Sequence, residues 1–514
     1  MWGDVIKKLI KAMLTLTMFS VITRFLGFIY KIYLSRIMST TELGIYNLTF
    51  SVFMVLITLV ASSIPLTISK ITSSNKSINK EHKTSYSVTS SLIVSTIVSI
   101  LLVLIVLLCK PLIILLIGDN LGYEIIIALL PSIIFSALYS QIRGYLWGIE
   151  NYFSVSIVEF LEQLLRIGLC IVFIYLNIFN SPVIAVGVAL STACGLSTFY
   201  GFYLYFKNGG KFKYKKGYFK EIIDSSLPLT GVRVFSSLLP PIVAILIPIL
   251  LSKLGMDRDL ALSELGIIMG MSMPLLSVPS TIIASLCMIL IPRISSCDEK
   301  SKQKRLHIQI ENYILFTLIC GFIFIPIFIV LGIPVCDFIF NNSKSGIYLC
   351  YSTWIIIPMA LAQISSSILN GLNQERKSFI YYLISSVFLL ISVFILPKYI
   401  QIMAMSFAIG ISNTVLTILN FRKISLLINY KPKLLSKLVT HMLLCLPVIL
   451  ITKLSFNWIH IFCNNLITII FCSIISLFSY IMFLFVFNVI KPKTVTSFLN
   501  KNFKLNLSKP KNKI

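Results

Sequence analysis

The sequence predicts an all-α membrane protein of about fourteen transmembrane helices, built as two parallel six-helix repeats plus two C-terminal helices, with both termini cytoplasmic. Three observations carry this expectation. Apolar runs of about 20 residues, long enough to cross a hydrocarbon core of about 30 Å, recur along all 514 residues with short polar breaks between them. Of the residues, 57% are hydrophobic and 12% charged, and a mean hydropathy of +0.94 leaves too few polar groups to cover a water-soluble globule. Finally, the basic residues collect in alternate breaks, and two sequence landmarks return at one offset.

The first run, 13 to 33, follows Lys7, Lys8 and Lys11. Its length and its lack of a small-residue cleavage pattern make it a retained helix and not a leader peptide. The next five spans are 43 to 69, 88 to 108, 122 to 142, 154 to 177 and 182 to 206. Then come 225 to 251, 263 to 292, 309 to 331, 346 to 371, 378 to 396 and 401 to 421. Two further spans, 438 to 452 and 464 to 488, complete the set. One series of breaks holds the N-terminus, 70 to 87, 143 to 153, 207 to 224, 293 to 308, 372 to 377, 422 to 437 and the C-terminal tail. It carries about 33 of the 44 basic residues, which assigns it to the cytoplasm and makes the number of helices even.

A formal net charge of +26 suggests a nucleic-acid partner, but Lys and Arg distributed through breaks form no continuous face. The charge is therefore read as a topology signal, with no nucleic acid bound. Several cysteines, including Cys109, Cys170, Cys194 and Cys472, sit inside apolar runs with no Cys-x-x-Cys pair, which indicates packing and neither a disulfide framework nor a zinc site. His82, His307, His441 and His460 fall at breaks or helix ends, where solvated or interfacial roles are expected. No P-loop, His-Glu-x-x-His or Gly-x-Ser-x-Gly pattern occurs, so neither an enzyme nor a cofactor is expected.

The chain repeats itself. Glu42-Leu43-Gly44-Ile45 returns as Glu264-Leu265-Gly266-Ile267 after 222 residues, each copy opening a helix, and Trp147-Gly148-Ile149-Glu150-Asn151 is matched by Asn370-Gly371-Leu372-Asn373-Gln374 after 223. The expected lobes are 1–210 and 211–430, followed by helices 13 and 14 in 431–490 and a Lys- and Asn-rich tail in 491–514. An even number of spans per repeat restores orientation, so the repeats should be related by an axis along the membrane normal, with substrate bound between the lobes.

Ionisable residues inside spans are costly in lipid and are the candidate site. Arg24 lies in the first span and Arg233 in the seventh, the first helices of the two lobes. In the fifth span Glu159, Glu162 and Arg166 share one stripe, with either substrate contact or a local Glu162 to Arg166 ion pair as their role. Lys31 can snorkel to the interface. Pro228, Pro240, Pro241 and Pro248 remove backbone donors beside Arg233, and the last three are the candidate gate. Gly144-x-x-x-Gly148 and Gly266-x-x-x-Gly270 suit close helix packing.

Thr23-Arg24-Phe25-Leu26-Gly27-Phe28-Ile29-Tyr30-Lys31, then Leu43-Gly44-Ile45-Tyr46-Asn47 and Ser63-Ile64-Pro65-Leu66-Thr67-Ile68-Ser69-Lys70, resemble the polysaccharide-transporter branch of the multidrug/oligosaccharidyl-lipid/polysaccharide exporter superfamily. Arg143-Gly144-Tyr145 through Gly148, with Glu162-Gln163 and Arg166, is similar to the same branch, particularly its stage V sporulation protein B-like members. The resemblance implies two six-helix lobes and a flippase for undecaprenyl-pyrophosphate-linked cell-wall or polysaccharide precursors in a bacterial cytoplasmic membrane. It likens Arg24 to the first-helix arginine of lipid II flippases. The chain departs from those flippases at Tyr30 and Lys31, where they often carry a second Arg and an acidic residue. The partners so implied are a lipid-linked oligosaccharide and membrane lipid. A cation-coupled multidrug exporter of the same architecture and a non-transporting scaffold for cell-wall or spore assembly are the alternatives.

Overall fold

A computed structural model describes residues 2–61, 63–77, 81–215, 217–295, 303–429 and 433–489. The basic tail 491–514 and the side chains of Lys7, Lys8, Lys11 and Pro228 lie outside the described residues. In chain order the helices are α1 (Trp2–Ile37), α2 (Thr40–Ala61), α3 (Ile64–Ser77), α4 (Glu81–Leu108), α5 (Lys110–Ile117), α6 (Asn120–Gly148) and α7 (Tyr152–Tyr175). They continue with α8 (Pro182–Lys207), α9 (Tyr218–Lys253), α10 (Arg258–Ile267), α11 (Met273–Leu276), α12 (Val278–Ser295) and α13 (Gln303–Phe340). The chain then forms α14 (Ser343–Ser352), α15 (Ile356–Gly371), α16 (Glu375–Ile395), α17 (Pro397–Ile400), α18 (Ala404–Ile428), α19 (Leu434–Phe462) and α20 (Asn465–Val486). Among the described residues there is no strand.

These segments follow the fourteen expected spans. Among the described residues thirteen are long and apolar enough to cross a membrane, and α7 is not among them, because Glu159, Glu162 and Arg166 interrupt its apolar sequence. The protein is therefore a multi-pass membrane protein in which α7 carries three of the candidate charges.

Local chemistry explains the boundaries. Before α2, Ser39 and Glu42 form a reciprocal capping box: the Glu42 carboxylate accepts from the Ser39 N–H at 2.9 Å, and Ser39 Oγ accepts from the Glu42 N–H at 3.2 Å. The second copy of this tetrapeptide behaves differently. Glu264 lies in the second turn of α10, buried, because that helix starts six residues earlier at Arg258. Asp119 caps α6 through the Leu121 N–H, and Asn342 caps α14 through the Ser345 N–H. No interruption occurs in α9, which stays helical through Pro240, Pro241 and Pro248. The departure from α geometry lies instead in the following span, as a π segment at Ile268–Ser272 just before Pro274.

Backbone geometry repeats with the sequence. Gly118 and Asn341, 223 residues apart, both have positive φ (84° and 55°), and each immediately precedes its helix's capping residue. Helix ends at Gly148 and Gly371, positive φ at Glu150 and Asn373, and helix starts at Tyr152 and Glu375 all keep the same offset. Five coincident landmarks are far harder to attribute to chance than two tetrapeptides.

By internal contacts the chain forms two compact units. One comprises Met1–Leu275 and Tyr382–Ser412. In it α6 packs on α2, α3, α4 and α8, and α7 packs on α1 and α8, around Ile68, Val88, Ile142, Leu146, Val155 and Tyr205. The other comprises Leu276–Tyr381 and Asn413–Ile514, where α13 packs on α14, α15, α19 and α20 around Ile314, Leu318, Phe322, Val448 and Tyr480.

Candidate substrate site

The charged site grows from the inner turns of α6, α7 and α8. Because α6 remains helical to Gly148, Arg143 is a helix residue and not part of the following break, where the sequence reading left it. Its Nη1 lies 3.5 Å from Glu159 Oε1 on α7, and its guanidinium carbon lies 5.0 Å from the centre of the Trp147 ring one turn on. On the same stripe of α7, Glu162 Oε1 accepts from the Cys194 thiol of α8 at 3.6 Å. Arg166 donates from Nη2 to Gln163 Oε1, while its buried Nε finds no acceptor in the structure. The local Glu162 to Arg166 ion pair thus does not close; each group turns to a neutral partner.

Neighbouring helices complete the surroundings. The Arg166 charge acts on the hydroxyls of Tyr30 on α1 and Tyr46 on α2. Gly27 of α1 sits where an added Cβ would lie 3.7 Å from Gln163 Nε2. Arg24 and Lys31, three residues before and four after Gly27, share its face of α1 and are exposed. The structure therefore brings Glu159, Glu162 and Arg166 together on α7 and places Arg24 on the face of α1 that carries Gly27.

Arg233 is exposed on α9, in a different element. At the repeat offset it corresponds to Lys11 and Arg24 to Leu246, so the two arginines occupy corresponding helices at positions 13 residues out of register, about 20 Å along a helix axis. Pro241 and Pro248 are buried and Pro240 is exposed.

A second feature of the same unit is a close helix seam. Gly44 of α2 and Gly266 of α10, the glycines of the two tetrapeptide copies, pack against one another: a Cβ on Gly44 would strike the Leu262 carbonyl, and one on Gly266 the Thr40 carbonyl. Thr40 and Leu262 are themselves 222 residues apart, so the contact is reciprocal, as expected across a pseudo-two-fold axis. Ser263 Oγ donates to Thr40 Oγ1 at 2.7 Å across the same seam.

Arg143 and Gln163 entered the sequence analysis only through the family resemblance and Cys194 only as a packing residue, so none of the three was among the expected site residues. The Arg143 to Trp147 spacing of four, which puts cation and ring on one helical face, was the available signal. Nothing in the local sequence linked Cys194 to Glu162, which are 32 residues apart. His441 was also misplaced at a helix end. It is buried inside α19, with Nδ1 2.6 Å from Tyr480 Oη and its ring stacked on Phe322.

Comparison with known proteins identifies the family. The family model described as "Polysaccharide biosynthesis protein" matches residues 9–298, more than half of the chain. The chain belongs to this family. Stage V sporulation protein B of Bacillus subtilis (strain 168) is 24% identical to this polysaccharide biosynthesis family member over 353 residues, 66% of this chain and 68% of that protein. Sporulation protein YkvU of the same organism is 23% identical over 236 residues, 44% of this chain and about half (52%) of the relative. Among solved structures, the lipid II flippase MurJ in an inward closed conformation superposes with a TM-score of 0.72 at 15% identity, covering 95% of this chain and 99% of that one. A multidrug resistance MATE family transporter of the MOP superfamily, inward-facing, gives 0.64 at 17%, covering 79% and 94%. The family member thus shares the fold of these two solved structures.

Proposed function

We propose that this protein is a flippase that moves undecaprenyl-pyrophosphate-linked peptidoglycan, spore-cortex or polysaccharide precursors across the bacterial cytoplasmic membrane by alternating access. The observation that carries this reading is the charged cluster built into otherwise apolar spans: Arg143, Arg166 and Arg24 against Glu159 and Glu162. Its excess of guanidinium groups suits a diphosphate, which arginine can bind through paired donors. The family's description, the stage V sporulation protein B relative and the lipid II flippase fold support it.

In this reading Arg24, Arg166 and Arg233 bind the anionic headgroup, while Glu159 and Glu162 orient the arginines. The seam of α2 and α10 opens and closes on one side of the membrane, with Pro240, Pro241 and Pro248 of α9 adapting as it moves. The lobes are 1–210 and 211–430, helices 13 and 14 form an appendix, and both termini face the cytoplasm. A cation-coupled multidrug exporter is the second reading, one structural neighbour being a multidrug resistance MATE family transporter. It needs a carboxylate available for the cation; Glu159 already faces Arg143, which leaves Glu162, whose partner is the neutral Cys194 thiol.

Reconstitution tests the proposal directly. Purified protein in liposomes should move a fluorescent undecaprenyl-pyrophosphate sugar between leaflets, and Arg24→Ala, Arg166→Gln and Arg233→Ala should each slow transfer at least tenfold. Equal transfer by all four proteins would remove the arginine site. No transfer by folded wild type, with efflux of a cationic dye instead, would favour the exporter.

A further inference from the structure

The segment 207–215, which joins α8 to the turn before α9, has no part in the charged cluster yet is firmly built. Tyr205 Oη donates to the Lys211 carbonyl at 3.0 Å, and the Lys213 N–H donates to Thr89 Oγ1 of α4 at 3.0 Å. The Phe212 ring stacks on Tyr205 at 5.6 Å and 24°. Asn208 is held from two further places: its carbonyl accepts from Tyr145 Oη at 2.9 Å, and its Oδ1 accepts from Asn151 Nδ2 at 3.0 Å. Four hydrogen bonds and one ring contact fix this segment, beyond the turn bonds that the Asn208, Gly209 and Gly210 N–H groups donate back to α8.

From this fixed backbone project Lys207, Lys211, Lys213 and Lys215, all exposed. Among the described residues none of them meets a carboxylate; Lys207 Nζ lies 5.8 Å over the Tyr203 ring. Tyr203, Phe206 and Tyr214 are exposed alongside them. Aromatic side chains interleaved with unpaired lysines at the end of a membrane span are the composition of a headgroup-level contact. An ordinary solvated loop would not need four backbone and side-chain anchors to hold its lysines in place.

We propose that the segment 207–215 binds the phosphate headgroups of anionic phospholipids in the leaflet it adjoins. The lysines supply the charge, the aromatic rings sit at headgroup depth, and the fixed backbone lowers the entropy lost on binding. This role is independent of what the protein transports.

The test uses full-length protein in detergent, with bound phosphatidylglycerol and phosphatidylcholine counted by native mass spectrometry across a lipid titration. Wild type should retain phosphatidylglycerol in preference to phosphatidylcholine. The triple variant K211Q/K213Q/K215Q should lose that preference, its apparent affinity for phosphatidylglycerol falling by about 10²-fold, or about fivefold per lysine. Lys453→Gln, on α19, is the control and should leave it intact. Exposed lysines are replaceable without loss of fold, and an unchanged melting temperature checks this. Equal retention by wild type and triple variant, or an equal loss in the control, overturns the proposal. So does displacement of the lipid by inorganic diphosphate at comparable concentration, which would make this a site for soluble phosphate.

Discussion

A guanidinium inside a membrane helix is tolerated only if other groups take over from water. Arg143 meets this condition through Glu159 and the Trp147 face and Arg166 through Gln163, each only in part, since the buried Nε of both has no acceptor. The Arg143 and Glu159 side chains are 27% and 44% exposed, so the pair resembles a surface ion pair in strength and contributes about 1 kcal/mol or less to stability. Glu159→Gln should therefore lower the melting temperature little while reducing transfer of the lipid-linked sugar at least tenfold; a large loss of stability with normal transfer would make the pair purely architectural. His441 presents the opposite balance. Buried, it bonds Tyr480 Oη and belongs to no charged site, so Tyr480→Phe should cost about 1–3 kcal/mol of stability by stranding the imidazole nitrogen, with little effect on transfer per folded molecule. Thermal denaturation and the flipping assay on the same preparation distinguish the two cases.

At the level of elements, the α2 and α10 seam is the contact that the proposed alternating access sets in motion. The approach of Gly44 and Gly266 leaves no room for a side chain, and Thr40 and Ser263 close hydroxyl to hydroxyl at 2.7 Å. Cysteines at these two positions should form a disulfide, because their oxygens already lie within reach of a sulfur–sulfur bond. If the seam must open during transport, oxidised Thr40→Cys/Ser263→Cys should be inactive and recover on reduction. Full activity of the cross-linked protein would make the seam a static joint. The sequence placed both glycines in copies of one tetrapeptide, yet only the fold revealed that the copies touch.

Over the whole molecule, the repeat is one of backbone and not of charge. At the 223-residue offset Arg143, Glu159, Glu162, Gln163 and Arg166 correspond to Ser366, Tyr382, Ser385, Ser386 and Leu389. The second copy is neutral: Ser385 Oγ and Ser386 Oγ donate to the Tyr382 carbonyl, and Asn420 Nδ2 donates to Ser365 and Ser366. The first half therefore carries ionisable groups where the second carries hydroxyls or, at Leu389, an apolar side chain. The membrane orientation is testable at the same scale. A C-terminal fluorescent protein that matures only in the cytoplasm should glow, and C-terminal alkaline phosphatase should be inactive; the reverse result would invert the proposed topology.

The sequence by itself determined the solvent, the placing of the apolar helices, thirteen of which are long and apolar enough to cross a membrane among the described residues, and the register of the repeat. Hydrophobic length, alternation of basic breaks and recurring turn residues are local properties that lipid and water sort without reference to packing. It also named Glu159, Glu162 and Arg166, because three charges in one apolar span are conspicuous on their own. Only the tertiary structure decided what those charges do. Whether Arg166 faces Glu162 or Gln163, whether Arg143 belongs to a loop or to the site, and whether Cys194 and His441 are buried beside polar partners depend on which helices adjoin. Those neighbours are set by long-range packing, on which spacing along a single helix carries no information.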